Sequence, residues 1–341
     1  MSLDHLLMLL GFSIAAYSIV ANDAIQTLGT FLSSNARRPW WLLWLYAVGI
    51  LYAVLLYGWV TTGGDASYGR LARIPLPQPF SWVYVVPPLV LLALTRRGIP
   101  VSTTFLILTI FAPENLGSML VKSFAGYLVA FVFAILLYLV VARTVEQRFM
   151  DTVHEVPPRH WVALQWISTG FLWTQWLVQD LANIFVYVPR RLDVSWLVFA
   201  LVVMAALHAY TFWARGGEIQ KVVTSKTNTT DIRSATIIDF CFGLVLLVFK
   251  EWSKIPMSTT WVFLGLLAGR EIAMSIQLQA RPMGETLAVV RRDGAKVMAG
   301  LAVSVVLALG LPIVAQWMAT AAPTAVQAQV PVRPPSAPNG P

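Results

Sequence analysis

The sequence of 341 residues contains few charged side chains, four histidines and one cysteine. Charged residues make up 12% of the chain, against about 25% in an ordinary soluble domain, which argues against a soluble globular protein. The single Cys241 excludes an intrachain disulfide and a thiolate metal site. The histidines are scattered, with no pair at metal-ligand spacing, and no GxxxxGK[ST] loop is present. We therefore expect no cofactor and no ATP hydrolysis.

Apolar residues dominate what is present: 57% of the chain is hydrophobic and the mean hydropathy is +0.69. Runs near or above the roughly 18–20 residues that span a bilayer occur repeatedly, which predicts an all-α polytopic membrane protein. The predicted spans are Leu3–Ile25, Trp40–Val60, Ser123–Val141, Trp161–Val188, Ser195–Trp213 and Val297–Met318. Two further apolar regions, Ser81–Phe111 and Ala235–Ile276, are interrupted by charges and proline.

Two polar motifs occur twice inside these apolar regions. PVSTTF at Pro100–Phe105 reappears as PMSTTW at Pro256–Trp261, and the AND of residues 21–23 has a counterpart in the VQD of residues 178–180. Ser102 follows Asp23 by 79 positions, and Ser258 follows Asp180 by 78. Two motifs held at one separation in both halves indicate an internal duplication.

Each half then divides in the same way, into a polar-interrupted helix, a plain helix, a broken helical hairpin and a plain helix. A hairpin that returns to its own side leaves three crossings per half, so the second half is predicted to be inverted. We assign residues 1–150 to the first transmembrane repeat and 151–319 to the second. Residues 320–341, rich in proline and alanine, are predicted to be a disordered tail.

The basic residues support one orientation of this arrangement. Of the 24 Lys and Arg residues, five lie in the hairpins, six on one side (Arg70, Arg73, Lys122, Arg190, Arg191 and Arg333) and thirteen on the other. By the positive-inside rule the second side is cytoplasmic, which predicts that both termini lie outside. The net charge is +8, but the basic residues flank the apolar segments, which is typical of topology signals. We therefore expect no nucleic-acid partner.

The duplicated acidic motifs predict cation binding. A carboxylate in a membrane segment costs at least about 2.5–3.5 kcal/mol, so it usually faces a cavity, a partner or an ion. Oxygen ligands suit a small hard cation such as Na⁺, and a buried Asp could instead carry a proton. The alternative for either Asp is a helix cap or a pair with a hairpin Arg. The predicted ligands are Asn22, Asp23, Gln26, Gln179, Asp180 and Asn183.

The duplicated hydroxyl runs predict anion binding. A proline that begins a helix leaves the following N–H groups free, and helix N-termini attract anions. The hydroxyls would add neutral donors around a tetrahedral oxyanion, although Ser and Thr in membrane helices often bond only to the preceding turn. The predicted donors are Ser102, Thr103, Thr104, Ser258, Thr259 and Thr260.

With these motifs the chain resembles the inorganic phosphate transporter (PiT) family of phosphate and sulfate permeases. That family carries a duplicated GANDVAN-type motif, each copy followed by P-x-STTH. The resemblance spans roughly residues 5–319 and implies an inverted-repeat fold, with the Asp/Asn motifs handling coupling cations and the Ser/Thr runs handling the anion. The chain departs from the pattern at Gln26, Gln179, Phe105 and Trp261.

We therefore predict a secondary transporter that couples Na⁺ or H⁺ to phosphate by alternating access. Sulfate permease is the nearest alternative, and a non-transporting sensor or an intramembrane enzyme are less favoured. A bacterial inner membrane is the expected location, and a homodimer is left open.

Five residues or pairs outside the motifs also carry expectations. A positive charge at Arg96–Arg97, or at Lys250 and Lys254, could attract an anion into a vestibule. Arg270 and Glu271 are expected to form an internal ion pair. Asp239 could face the cavity, and Gly29 and Gly265 are expected at close helix contacts.

Overall fold

The computed structural model describes residues 2–226, 229–252 and 256–321, and all regular structure within these ranges is helical. The predicted tail, apart from its first two residues, and Lys254 lie outside the described residues. The helices are α1 (Leu3–Ile19), α2 (Ile25–Ser34), α3 (Trp40–Thr61), α4 (Val86–Thr95), α5 (Thr109–Phe111), α6 (Leu116–Val141), α7 (Gln147–Asp151), α8 (Arg159–Phe185), α9 (Val194–Trp213), α10 (Gly217–Thr224), α11 (Ile232–Trp252), α12 (Thr259–Leu278) and α13 (Met283–Ala321).

The all-α membrane architecture is confirmed. Seven helical segments of the described chain are long and apolar enough to cross a membrane, and the protein is an integral membrane protein. The segments are Leu3–Ser34, Trp40–Thr61, Pro113–Asp151, Val194–Trp213, Ile232–Phe249, Thr259–Leu278 and Met283–Trp317. The 27 residues of α8 add a helix of about 40 Å at 1.5 Å per residue.

The two acidic motifs sit in helices of different regularity. In the first half a π-helical turn, Val20–Ala24, separates α1 from α2 and carries Asp23. The second motif was predicted to interrupt its helix in the same way, and that part of the prediction is wrong: α8 runs as an unbroken α-helix through Asp180. The amide groups of Gln179 and Asn183 donate from this regular helix to the Leu246 carbonyl and to Thr103 on neighbouring elements.

Both interrupted apolar regions fold as helix pairs that turn back on themselves. In hairpin 1, α4 is followed by a short returning arm, the π-helical Thr104–Leu108 and α5. In hairpin 2, α11 and α12 have 21 and 20 residues, so each arm is far longer than its counterpart. The hydroxyl runs lie where the second arm of each hairpin begins.

Glycine allows α12 to pack very closely along α6. A Cβ at Gly265 would collide with the carbonyl oxygen of Tyr127, and one at Gly269 with that of Phe131. The close-contact prediction for Gly265 is thus confirmed. It is also confirmed for Gly29, where a Cβ would lie 2.8 Å from a methyl group of Val223.

A buried ion network crosses the same region. Arg270, fully buried on α12, lies 3.3 Å from Glu271 and 3.4 Å from Glu146, and its guanidinium stacks over Tyr138. The predicted Arg270–Glu271 pair is therefore confirmed. Glu146 joins it as a second carboxylate, and Arg281 lies 3.7 Å from Glu271, so the network has two charges of each sign.

Contacts between the halves are reciprocal. α1 packs on α9 while α8 packs on α3, and α3 packs on α9. In the same manner α6 packs along α12, and α13 contacts the returning arm of hairpin 1. The hairpins are thus enclosed between the plain helices, and their second arms meet the polar motifs inside.

Candidate functional site

The structure brings the four sequence motifs together in one buried cluster. Each of the twelve predicted residues is buried, the most exposed being Ser102 at 5%. Direct hydrogen bonds join the Asp23 motif, the Asp180 motif and both hydroxyl runs. Residues that are 79–80 and 237 positions apart therefore share a single polar centre inside an apolar fold.

Asp23 is surrounded by donors from both halves. Its Oδ1 accepts from the Asn22 amide at 2.7 Å, from Thr260 at 3.2 Å and from Gln26 at 3.5 Å. Its Oδ2 accepts from the Thr103 hydroxyl at 2.5 Å. The π-helical turn contributes to this geometry because it presents Asn22 and Asp23 side by side to hairpin 1, where Asn22 also donates to the Val101 carbonyl at 2.7 Å.

Asp180 reaches the same centre through Asn183. The Asn183 amide donates to Asp180 Oδ1 at 2.7 Å, to Thr103 Oγ1 at 2.9 Å and, over 3.4 Å, to Thr104 Oγ1. The Thr259 hydroxyl also contacts the Asp180 carboxylate. The Thr103 hydroxyl thus accepts a hydrogen bond from Asn183 and donates one to Asp23. Together with the Asn183 amide, it links the two carboxylates.

Four acceptor oxygens of the acidic motifs have no hydrogen-bond donor among the described residues. They are Gln26 Oε1, Gln179 Oε1, Asp180 Oδ2 and Asn183 Oδ1. A buried acceptor without a partner costs roughly 1–3 kcal/mol, so four in one cluster call for an explanation. They are carboxylate and carboxamide oxygens, the ligands that hard cations take in proteins.

The hydroxyl runs act partly as helix caps. Ser102 Oγ accepts from the Phe105 N–H and Ser258 Oγ from the Trp261 N–H, both at 3.3 Å. Each run therefore begins a helical segment, as the proline motif predicted. The tips of the two hairpins touch where Thr104 donates to the Met257 carbonyl at 3.0 Å.

Phe105 and Trp261, the residues that follow the two STT runs, contact each other. Their rings pack edge to face with centroids 5.5 Å apart, and both side chains are buried. They form an apolar contact directly behind the hydroxyl donors. The two aromatic positions therefore fill the space between the hairpins together.

Two basic residues beside the cluster were missed by sequence reasoning. Arg70 and Lys122 were assigned to loops on one side of the membrane, yet their side chains are 5% and 6% exposed. Arg70 donates to the Val178 carbonyl at 2.9 Å and attracts the Asp180 carboxylate electrostatically. In the sequence both look like ordinary topology signals, so only the packing distinguishes them.

Asp239 lies in a separate polar contact. It accepts hydrogen bonds from Thr30 and, at 2.5 Å, from Thr169. Gln165 donates to Thr169 at 3.2 Å and in turn accepts from Asn35 at 2.9 Å. These bonds connect α2, α8 and α11, and none of them involves Asp23 or Asp180.

Comparison with known proteins identifies a shared fold. No protein-family model matches the chain, and no curated protein sequence matches it. A solved structure described as "The sodium-dependent phosphate transporter" superposes on 92% of this chain and 100% of its own chain, with a TM-score of 0.56 and 17% sequence identity. The chain therefore has the fold of a membrane transporter structure, and its place in the PiT family stays a prediction.

Proposed function

We propose that the protein is a secondary transporter that couples a small cation to a tetrahedral oxyanion. The observation that carries this proposal is the shared buried centre, in which two carboxylates, four donor-free acceptor oxygens and the hydroxyls of two hairpins meet. The solved structure with the same fold is described as a sodium-dependent phosphate transporter, which supports the same class.

The cation is proposed to bind the acidic motifs. Gln26, Gln179, Asp180 and Asn183 each present an acceptor oxygen without a donor, and a cation would satisfy these oxygens without requiring an N–H or O–H group. Na⁺ is the favoured ion because all of its proposed ligands are oxygen atoms. Proton coupling through Asp23 or Asp180 is the alternative.

Coupling between cation and anion binding is proposed to arise because the same hydroxyl groups serve Asp23 and the anion. In the structure Thr103 and Thr260 donate to Asp23, so their hydrogens are not directed at an anion. A cation on the Asp23 carboxylate would replace these donors and release both hydroxyls. The released hydroxyls would then donate to the oxyanion, and cation binding would strengthen anion binding, with the reverse required by linkage.

Phosphate is the proposed substrate. Hydrogen phosphate carries an O–H donor that sulfate lacks, and the solved structure with this fold is described as a sodium-dependent phosphate transporter. The Arg70 guanidinium beside Asp180 supplies a positive charge for either anion. Rocking of the two inverted repeats around this centre would give alternating access, and the reciprocal contacts between the halves support that arrangement.

The test is uptake of radiolabelled phosphate into liposomes that contain the purified protein. We expect uptake to follow an inward Na⁺ gradient, to disappear with a Na⁺ ionophore, and to resist sulfate added in equal amount. Uptake driven only by a pH gradient would identify H⁺, and not Na⁺, as the coupling ion. Sulfate competing better than phosphate would instead identify a sulfate permease.

Failure to take up either anion under any gradient would refute the transporter proposal. In that case the altered positions Gln26, Gln179, Phe105 and Trp261 would favour a non-transporting sensor. An intramembrane enzyme is the weaker alternative, because no group of three or more His, Cys, Asp or Glu placed to hold a metal occurs in the described ranges.

A further inference from the structure

A cavity of about 250 Å³ lies beside the tip of hairpin 1 and outside the shared centre. Thr95 and Arg96 line it from the end of α4, Tyr17 and Ala21 from the first membrane helix, and Gly217 from the start of α10. Ala21 is next to Asn22 in the chain. The cavity therefore extends from an open surface to the first residue of the AND motif.

Several donors converge on this cavity without a partner of their own. The Thr95 hydroxyl is 5% exposed, and its oxygen has no hydrogen-bond partner among the described residues. Arg96 is exposed and forms no ion pair within the described part of the chain. The helix α10 begins at Gly217 without a side-chain cap, which leaves N–H groups of its first turn available.

The charge balance of the cavity favours an anion. Its lining includes one acidic residue, Glu218, and that carboxylate pairs with Lys221 at 2.7 Å. Arg96 therefore supplies the charge that is not matched locally. A guanidinium, a buried hydroxyl and a helix N-terminus are three kinds of donor that bind phosphate-like oxyanions in proteins.

We propose that this cavity is a second, staging site for the transported oxyanion, with Arg96 and Thr95 as its main ligands. The proposal rests on the function proposed above and adds the route between bulk water and the shared centre. The connection that contains Gly217 is predicted to be cytoplasmic from its basic residues. On that prediction, the staging site receives the anion after it leaves the shared centre during uptake.

Equilibrium binding of radiolabelled inorganic phosphate to protein in lipid nanodiscs tests the site, because both faces are open to the buffer. The background is Ser102→Ala/Thr103→Ala, which weakens the core site about tenfold, so binding measured at phosphate concentrations too low to fill the weakened core site reports the cavity. We expect Arg96→Gln and Thr95→Val each to weaken this binding about tenfold, the loss of a charge-assisted or buried hydrogen bond. Arg97→Gln is the matched control, since that neighbour does not line the cavity.

A second measurement separates charge from shape. Cys241 is buried and is the chain's single cysteine, so Cys241→Ala gives a thiol-free parent in which Arg96→Cys can be modified. A methanethiosulfonate that adds an ammonium group is expected to restore phosphate binding, and one that adds a sulfonate is expected to weaken it further. The same reagents on Arg97→Cys should have little effect.

The outcomes distinguish this site from the overall function. Wild-type protein that neither binds nor transports phosphate would overturn the proposed function and the staging site together. Wild-type binding that vanishes completely in the Ser102→Ala/Thr103→Ala background would overturn the staging site alone. Equal binding by the Arg96→Gln, Thr95→Val and Arg97→Gln variants, or equal effects of the two reagents, would also overturn it.

Discussion

Asp23 and Asp180 occupy matching motifs, yet the two halves of the molecule hold these carboxylates differently. Asp23 accepts from four side chains, two of its own helix and one from each hairpin. Asp180 accepts from Asn183 and contacts Thr259, while its Oδ2 has no donor among the described residues. The first carboxylate is satisfied by the protein itself, and the second has a free oxygen to offer.

The backbone that carries the two motifs also differs between the halves. A π-helical turn carries the first motif, and an unbroken helix carries the second. Hairpin 1 has a short returning arm, whereas both arms of hairpin 2 are about 20 residues long. Duplicated motifs thus preserve the chemistry of a site more closely than the geometry of the helices that carry it. We expect the two acids to contribute unequally to stability and similarly to transport.

The largest effect should come from neutralising either acid. Asp23→Asn and Asp180→Asn are both expected to reduce phosphate uptake to background, because the cation loses its charged ligand. Asp23→Asn should also lower the thermal unfolding midpoint by a few degrees, since an amide group would face the donors that now meet a carboxylate. Asp180→Asn should leave that midpoint nearly unchanged.

Uptake in liposomes and thermal unfolding with and without Na⁺ measure these two effects. Na⁺ should raise the unfolding midpoint of the wild type, because a ligand that binds only the folded protein stabilises it, and should not raise it in Asp180→Asn. Choline chloride is the control for ionic strength. Normal uptake by both variants would contradict the assignment of the acidic motifs as the cation site.

The sequence supplied much of this comparison in advance. Apolar runs of membrane length predicted the helices, and the nearly equal spacing of the two motif pairs predicted that their residues belong to one arrangement. The burial of Arg70 and the partners of Asp239 could not be predicted, because they depend on contacts between helices distant in the chain. The regular helix at Asp180 was also missed, because a polar motif in an apolar run does not by itself distinguish a π-helical turn from a regular α-helix.

A smaller effect is expected from the hydroxyl run of hairpin 1. Ser102→Ala/Thr103→Ala should weaken the apparent affinity for phosphate about tenfold, because Thr103 joins both acidic motifs and is a proposed anion donor. The same change at Ser258 and Thr259 in hairpin 2 is the matched comparison and should act less strongly, since Thr259 contacts only Asp180 of the two acids. The concentration dependence of uptake measures both. Identical affinity in all three proteins would count against the hydroxyl runs as the anion site.

The smallest effects are expected from shortening Gln26 or Gln179 to asparagine, and the two variants should differ in their apparent affinity for Na⁺. The Gln179 amide donates to the Leu246 carbonyl at 2.9 Å, whereas Gln26 makes longer bonds of 3.2 and 3.5 Å within its own helix. Shortening Gln179 by one methylene breaks the stronger bond and releases its amide oxygen from a fixed position. Gln179→Asn should therefore raise the half-saturating Na⁺ concentration about fivefold, and Gln26→Asn about twofold. Uptake measured at fixed phosphate over a range of Na⁺ concentrations gives both values. A larger effect at Gln26 than at Gln179 would mean that the better-bonded first half, and not the half with the open carboxylate oxygen, controls cation affinity.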